Sequence, residues 1–169
     1  KMKKKNCLMK FKMIINKRFF QGRTQIEVAS NIERIKAELN GRARLLAATK
    51  TVPPEMINFA LDCGIDLIGE NRVNELLEKY PFINRHRTEV HFIGALQTNK
   101  VKYIIGKTCL IQSVVRLELA ELIDKKSKEA GIITDILVQV NSTGIDSRFG
   151  VEPEKTVDFI KEISGFENK

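Results

Sequence analysis

Leu45-Leu46-Ala47-Ala48-Thr49-Lys50-Thr51-Val52-Pro53-Pro54-Glu55 joins an apolar run to a single lysine and then to two prolines. The run suits a strand buried in a parallel sheet, and the prolines suit the first turn of a helix, where a missing N–H costs nothing. In α/β folds the carboxyl ends of the strands face the ligand crevice, so Lys50 is predicted to be presented to a site. A partly desolvated lysine has a lowered pKa, and its neutral amine can condense with an aldehyde as a Schiff base. Taken alone, the stretch also admits a strand-end lysine whose stem packs while its ammonium reaches water.

Upstream, Thr24 and Glu27 have capping-box spacing, Val28, Ile32, Ile35 and Leu39 recur at helical intervals, and Gly41 supplies a stop, which predicts a helix over 24–40. Downstream, strands and helices alternate. Strands are predicted over 44–49, 66–69, 89–94, 110–114 and 134–140, and helices over 53–64, 71–80, 99–105, 117–130 and 153–163. Each unit takes about 25 residues, the size expected for a (β/α)8 TIM-type barrel, of which about five of eight units are present. A doubly wound sheet would show a glycine-rich phosphate turn after its first strand, where this chain has Lys50-Thr51-Val52-Pro53-Pro54. Residues 24–169 are therefore read as a partial α/β barrel domain, truncated at its C-terminal end. Strands left unpaired at its edges predict self-association and marginal solubility.

The net charge of +8 over 169 residues is unevenly placed. Nine Lys and Arg residues stand within 1–23, which holds no acid; the remaining 20 basic residues meet 21 acidic ones. The domain is thus near neutral, and its charge does not predict nucleic-acid binding. The 1–23 stretch is read as a basic extension and predicted disordered, since its composition fits neither a transit peptide nor a secretory signal. No apolar run approaches the ~20 residues that span a bilayer. Three cysteines, Cys7, Cys63 and Cys109, form no C-x-x-C spacing, and His86 and His91 complete no metal-ligand pattern with them. No metal or disulfide framework is expected, and a reducing cytoplasm is the default.

The predicted strand ends carry polar residues: Gly69-Glu70-Asn71 after the second, His91-Phe92-Ile93-Gly94-Ala95-Leu96-Gln97-Thr98-Asn99-Lys100 along and after the third, and Asn141 through Gly150 after the fifth. Amides and cations on one rim suit a polar, anionic ligand. Each also has a structural reading. An asparagine opening a helix is a cap, Gly144 and Gly150 supply turn geometry, and His91 on a strand suits a hydrogen-bonded core position.

With Ala48-Thr49-Lys50-Thr51, these motifs resemble, in order and spacing, the signatures of the pyridoxal phosphate homeostasis proteins, from about Ile26 to the C-terminus. The resemblance implies an alanine racemase N-terminal-like barrel that holds pyridoxal 5′-phosphate (PLP) as a Schiff base on Lys50. It also implies a role in intracellular PLP (vitamin B6) homeostasis without known catalytic turnover, and transfer of PLP to PLP-dependent enzymes. It places Asn71 beside the cofactor and His91, Gln97, Asn99 and Asn141 in or near the pocket. Ala95 stands where the family usually has Pro or His, and Arg148-Phe149-Gly150 replaces a more usual Lys-Ser-Gly. The family's phosphate-binding and pyridine-contacting residues lie on later strands than those found here. The alternative is the barrel portion of a PLP-dependent amino-acid racemase or decarboxylase, which requires a further β-rich domain.

Overall fold

Parallel strands alternate with helices in the computed structural model, which describes residues 11–13, 24–143 and 149–166. Among those residues the strands are β1 (Phe11–Met13), β2 (Arg44–Ala48), β3 (Leu67–Glu70), β4 (Glu89–Phe92), β5 (Leu110–Val114) and β6 (Asp135–Val138). The α-helices are α1 (Gln25–Leu39), α2 (Pro54–Asp62), α3 (Val73–Lys79), α4 (Val101–Ile104), α5 (Leu117–Ala130) and α6 (Pro153–Ile163). The strands form one sheet in the order β1-β2-β3-β4-β5-β6, every pairing parallel. It is an α/β architecture of consecutive parallel β/α units, as the sequence predicts.

Sequence chemistry accounts for the element ends. Thr24 caps α1 in a reciprocal box: its backbone N–H donates to Glu27 at 2.9 Å, and its hydroxyl oxygen accepts the Glu27 amide. Pro53 stands at the N-cap of α2 and Pro54 opens the helix, as predicted. Leu45, Ala47, Ile68, Val90, Phe92 and Ile111 point to the helical layer and share one buried cluster with Ile32, Ile57, Leu76, Ile104 and Leu119. Side chains alternate across a strand, so Leu46, Ala48, Leu67 and Leu110, also buried, line the opposite face. Apolar residues on both faces explain the unbroken runs in β2 and β3.

Two features differ from the sequence expectation. Within the extension predicted disordered, Phe11–Met13 pairs in parallel with Arg44–Leu46, so β2 has a neighbour on each side and β1 is the sheet edge. The rest of that extension, 1–10 and 14–23, lies outside the described residues. The helix predicted over 99–105 is a 3-10 turn at Thr98–Lys100 that continues into the single turn of α4. Residues 144–148, which include Gly144 and Arg148, also lie outside the description.

Candidate functional site

Thr49, Lys50 and Thr51 follow the last residue of β2 at the carboxyl end of the sheet. Thr49 is buried and its backbone N–H donates to the Gly69 carbonyl at 2.9 Å, which extends the ladder by one bond. Lys50 is half-buried, and Thr51 takes a left-handed φ of 61°. A β-branched residue rarely adopts that conformation unless its surroundings impose it.

Here the imposing group is a buried ionic cluster behind the sheet. Lys79, the last residue of α3, is only 8% exposed. Its ammonium donates to the Thr49 carbonyl at 2.7 Å, to Glu75 Oε1 at 2.5 Å and to Glu70 Oε1 at 3.1 Å. Glu70 is wholly buried; its Oε1 also accepts the Thr49 hydroxyl at 2.7 Å, and its Oε2 has no partner. Burial raises the Glu70 pKa, opposed by the Thr49 hydroxyl and Lys79. Burial acts in the same direction on Glu75, but the bonds from Lys79 and from the Thr51 amide outweigh it and hold that carboxyl below its ordinary value.

A cleft of about 1030 Å³ opens at the same end of the sheet, between the loops that follow β3, β4 and β5 and the segment at Phe149. Asn71, Glu75, Gln97, Lys100, Arg116 and Phe149 are among the residues that line it. Asn71 Oδ1 is buried without a hydrogen-bond partner, the mark of a group left for a ligand or an ordered water. Gly94 makes this wall possible, because a Cβ there would overlap the Asn71 carbonyl oxygen. Ser113 then holds the Gly94 carbonyl at 2.5 Å.

The predicted site residues divide accordingly. Asn71 and Gln97 line the cleft. Lys50 is not among the residues that line the cleft; it follows β2 at the same end of the sheet, next to Thr51, whose amide is held by the cleft residue Glu75. Asn99 is exposed within the 3-10 turn. Asn141 follows β6, where its side-chain oxygen accepts from the Thr143 amide at 3.2 Å and the Thr143 hydroxyl at 2.8 Å. His91 is 1% exposed within β4, and its Nδ1 lies 2.9 Å from Gln112 Nε2. Burial lowers its pKa, opposed by Glu89.

Sequence reading missed Arg116, which adds a cation to the cleft, and the Lys79–Glu75 pair behind Lys50. It also missed a cluster at the opposite end of the strands, where Glu89, His91 and Cys109 bring donor atoms within 4.8 Å of one another. There the Arg44 guanidinium contacts both Glu89 oxygens at 3.2 Å, so that carboxylate already has a cation. Burial and Glu89 push the Cys109 thiol up to about 11.

The model of the alanine racemase N-terminal domain matches residues 26–168. A pyridoxal phosphate homeostasis protein of Aquifex aeolicus is 50% identical over 112 residues, covering 66% of this chain and 49% of that protein. One of Helicobacter pylori strain J99 is 33% identical over 142 residues, 83% of this chain and 62% of that protein. The structure of PipY from Synechococcus elongatus, solved with PLP bound, superposes with a TM-score of 0.77 at 25% identity, over 83% of this chain and 66% of PipY. The chain thus spans about half to two thirds of the length of these relatives.

Proposed function

The chain belongs to the alanine racemase N-terminal domain family, and from that premise we propose that it binds PLP on Lys50 as a PLP homeostasis protein. In this reading it acts without catalytic turnover, in the cytoplasm, and passes the cofactor to PLP-dependent enzymes. The curated relatives are named for homeostasis, which supports a carrier. Among the described residues no helix is long and apolar enough to cross a membrane.

The observation that supports the site most is a cleft wall with the unpartnered Asn71 Oδ1, which opens at the end of the sheet where Lys50 follows β2. The residues present fit the group. Bound PLP supplies an aldehyde to which a neutral lysine amine adds with loss of water. Arg72, Lys100 and Arg116 give the cleft cations suited to an anionic substituent, Asn71 and Gln97 give it amides, and Lys50 gives the amine. Asn99 and Asn141 remain part of the proposal as residues near the pocket, and His91, whose ring lies toward Glu89, remains in it by family resemblance alone. Exposed Leu137, Val140, Val157 and Ile160, on or beside β6 and α6, support self-association through that edge.

Absorbance after addition of PLP, borohydride reduction and peptide mapping test this, with Lys50→Ala alongside. We expect a long-wavelength band trapped on Lys50 and lost in the variant. A label spread over surface lysines, unchanged in Lys50→Ala, would sink the assignment.

A further inference from the structure

Lys50 is flanked by two peptide planes. The first contains the Thr49 carbonyl and the second contains the Thr51 amide. Lys79 donates to the Thr49 carbonyl at 2.7 Å, Glu75 accepts the Thr51 amide, and Lys79 and Glu75 are bonded to each other at 2.5 Å. One ion pair therefore grips both planes. Two planes held in fixed relation set φ and ψ of the residue between them, and these set the direction of its Cα–Cβ bond.

We propose that Lys79 and Glu75 are positioning residues that fix the direction in which Lys50 is presented, a role that rests on the reading of Lys50 as the PLP-bearing lysine. Three observations converge on it. Lys79 is buried, where an ammonium is costly unless it is paired and hydrogen-bonded, and its three acceptors include the backbone next to Lys50. Thr51 holds a φ of 61°, a conformation a threonine does not keep unaided. Glu75 also lines the cleft, so the group that holds Thr51 is one that a bound molecule can touch. Glu70 backs the pair from beneath, with Thr49 and Lys79 both bonded to its Oε1.

Neither residue supplies the nucleophile. Their effect is on orientation, where a displacement of about 1 Å can cost on the order of 100-fold. A clamp of this kind should alter which lysine is labelled as well as how much label is taken up. A purely structural pair would change neither while the protein stays folded.

The experiment compares the wild-type chain with Glu75→Ala and Glu75→Gln, all checked for a cooperative melt and labelled with PLP and borohydride well below it. Label on Lys50 relative to the other lysines is then read by peptide mapping. In Glu75→Ala we expect a fall of about 10–100-fold at Lys50. In Glu75→Gln most of it should return, because an amide oxygen still accepts from Thr51, although a neutral acceptor is only about half as strong. Wild-type labelling of Lys50 in Glu75→Ala would overturn the proposal.

Hydrogen exchange at the Thr51 amide reads the clamp without cofactor and without depending on a variant that folds. We expect that amide to be protected in the wild-type chain and to lose protection in Glu75→Ala. An unprotected Thr51 amide in the wild type overturns the clamp by itself. A protected amide in a chain that takes no label on Lys50 leaves the clamp standing and refutes the cofactor reading instead.

Discussion

Replacing Lys79 by methionine keeps most of an apolar stem and removes the ammonium, which leaves Glu70 buried at 0% exposure with only the Thr49 hydroxyl as partner. Breaking a buried pair in this way costs about 3–5 kcal/mol. The cost has a ceiling, because Glu70 can instead take up a proton. With an ordinary glutamate value near 4.3 and about 1.36 kcal/mol per unit, neutralising it at pH 7 costs about 4 kcal/mol, and at pH 5 about 1 kcal/mol. Burial already raises the Glu70 pKa in the intact cluster. A carboxyl with a raised folded-state pKa favours folding below its unfolded value, and that benefit disappears as pH rises through the folded value. The wild type already shares part of this titration, so the Lys79→Met loss should be largest at neutral pH and shrink by at most about 3 kcal/mol on going to pH 5. The bonds Lys79 gives to Thr49 and Glu75 add about 1 kcal/mol each at both pH values. Urea unfolding followed by circular dichroism at pH 5 and pH 7 measures both, for wild type, Lys79→Met and Lys79→Met/Glu70→Gln. The double variant removes the stranded charge and should lose the pH dependence. A Lys79→Met loss that differs by less than about 1 kcal/mol between the two pH values would refute the reasoning.

Two further outcomes follow from the site. His91 is buried with a lowered pKa, beside Glu89, Arg44 and Asp135, so it favours folding above its ordinary value and that benefit is lost as pH falls through its folded value. Thermal midpoints should fall more steeply between pH 7 and pH 5 in the wild type than in His91→Gln; equal slopes would exclude His91 as the source. Gly94→Ala should destabilise by about 1–3 kcal/mol, because the added methyl meets the Asn71 backbone, and should weaken PLP uptake in parallel. Full stability in that variant would show that the wall between Asn71 and Gly94 yields easily.

The strand and helix alternation was legible because local rules and global fold agree. Thr24 and Glu27 make the cap their spacing promises, and Leu45 to Ala48 are buried as an unbroken apolar strand must be. Lys50 is singled out by the ordered family motifs around it, since a lysine closing such a strand also suits a packed stem with its ammonium in water. Lys79 was not. On a helix ending in Lys-Tyr-Pro it looks like a solvated cation, and its acceptors Thr49 and Glu70 come from strands 30 and 9 positions away. Glu70, adjacent to Asn71, gives no sign of its role either, since sequence does not tell which face of the strand meets the helices. The Glu89–His91–Cys109 grouping was hidden for the same reason: Cys109 comes from the neighbouring strand region, and spacing along the chain carries no trace of it. The pairing of Phe11–Met13 with β2 escaped because the alternating Met9-Lys10-Phe11-Lys12-Met13 is too short to stand out within a basic, acid-free stretch.

In the sheet order β1 to β6 every hydrogen-bonded neighbour is the next strand along the chain. No pairing therefore has to wait for a distant segment; the widest joins Phe11 to Arg44, and the others link strands one β/α unit apart. A chain of this order can grow while it is being synthesised. Each strand emerges from the ribosome to find its template already formed, and loop closure is short at every step. The growing edge then travels with the newest strand and is covered by the next one, while β1 keeps the other edge. Synthesis and assembly run in the same direction, so the ionic cluster that orients Lys50 can form as soon as α3 is made, before the loops after β4 and β5 complete the cleft.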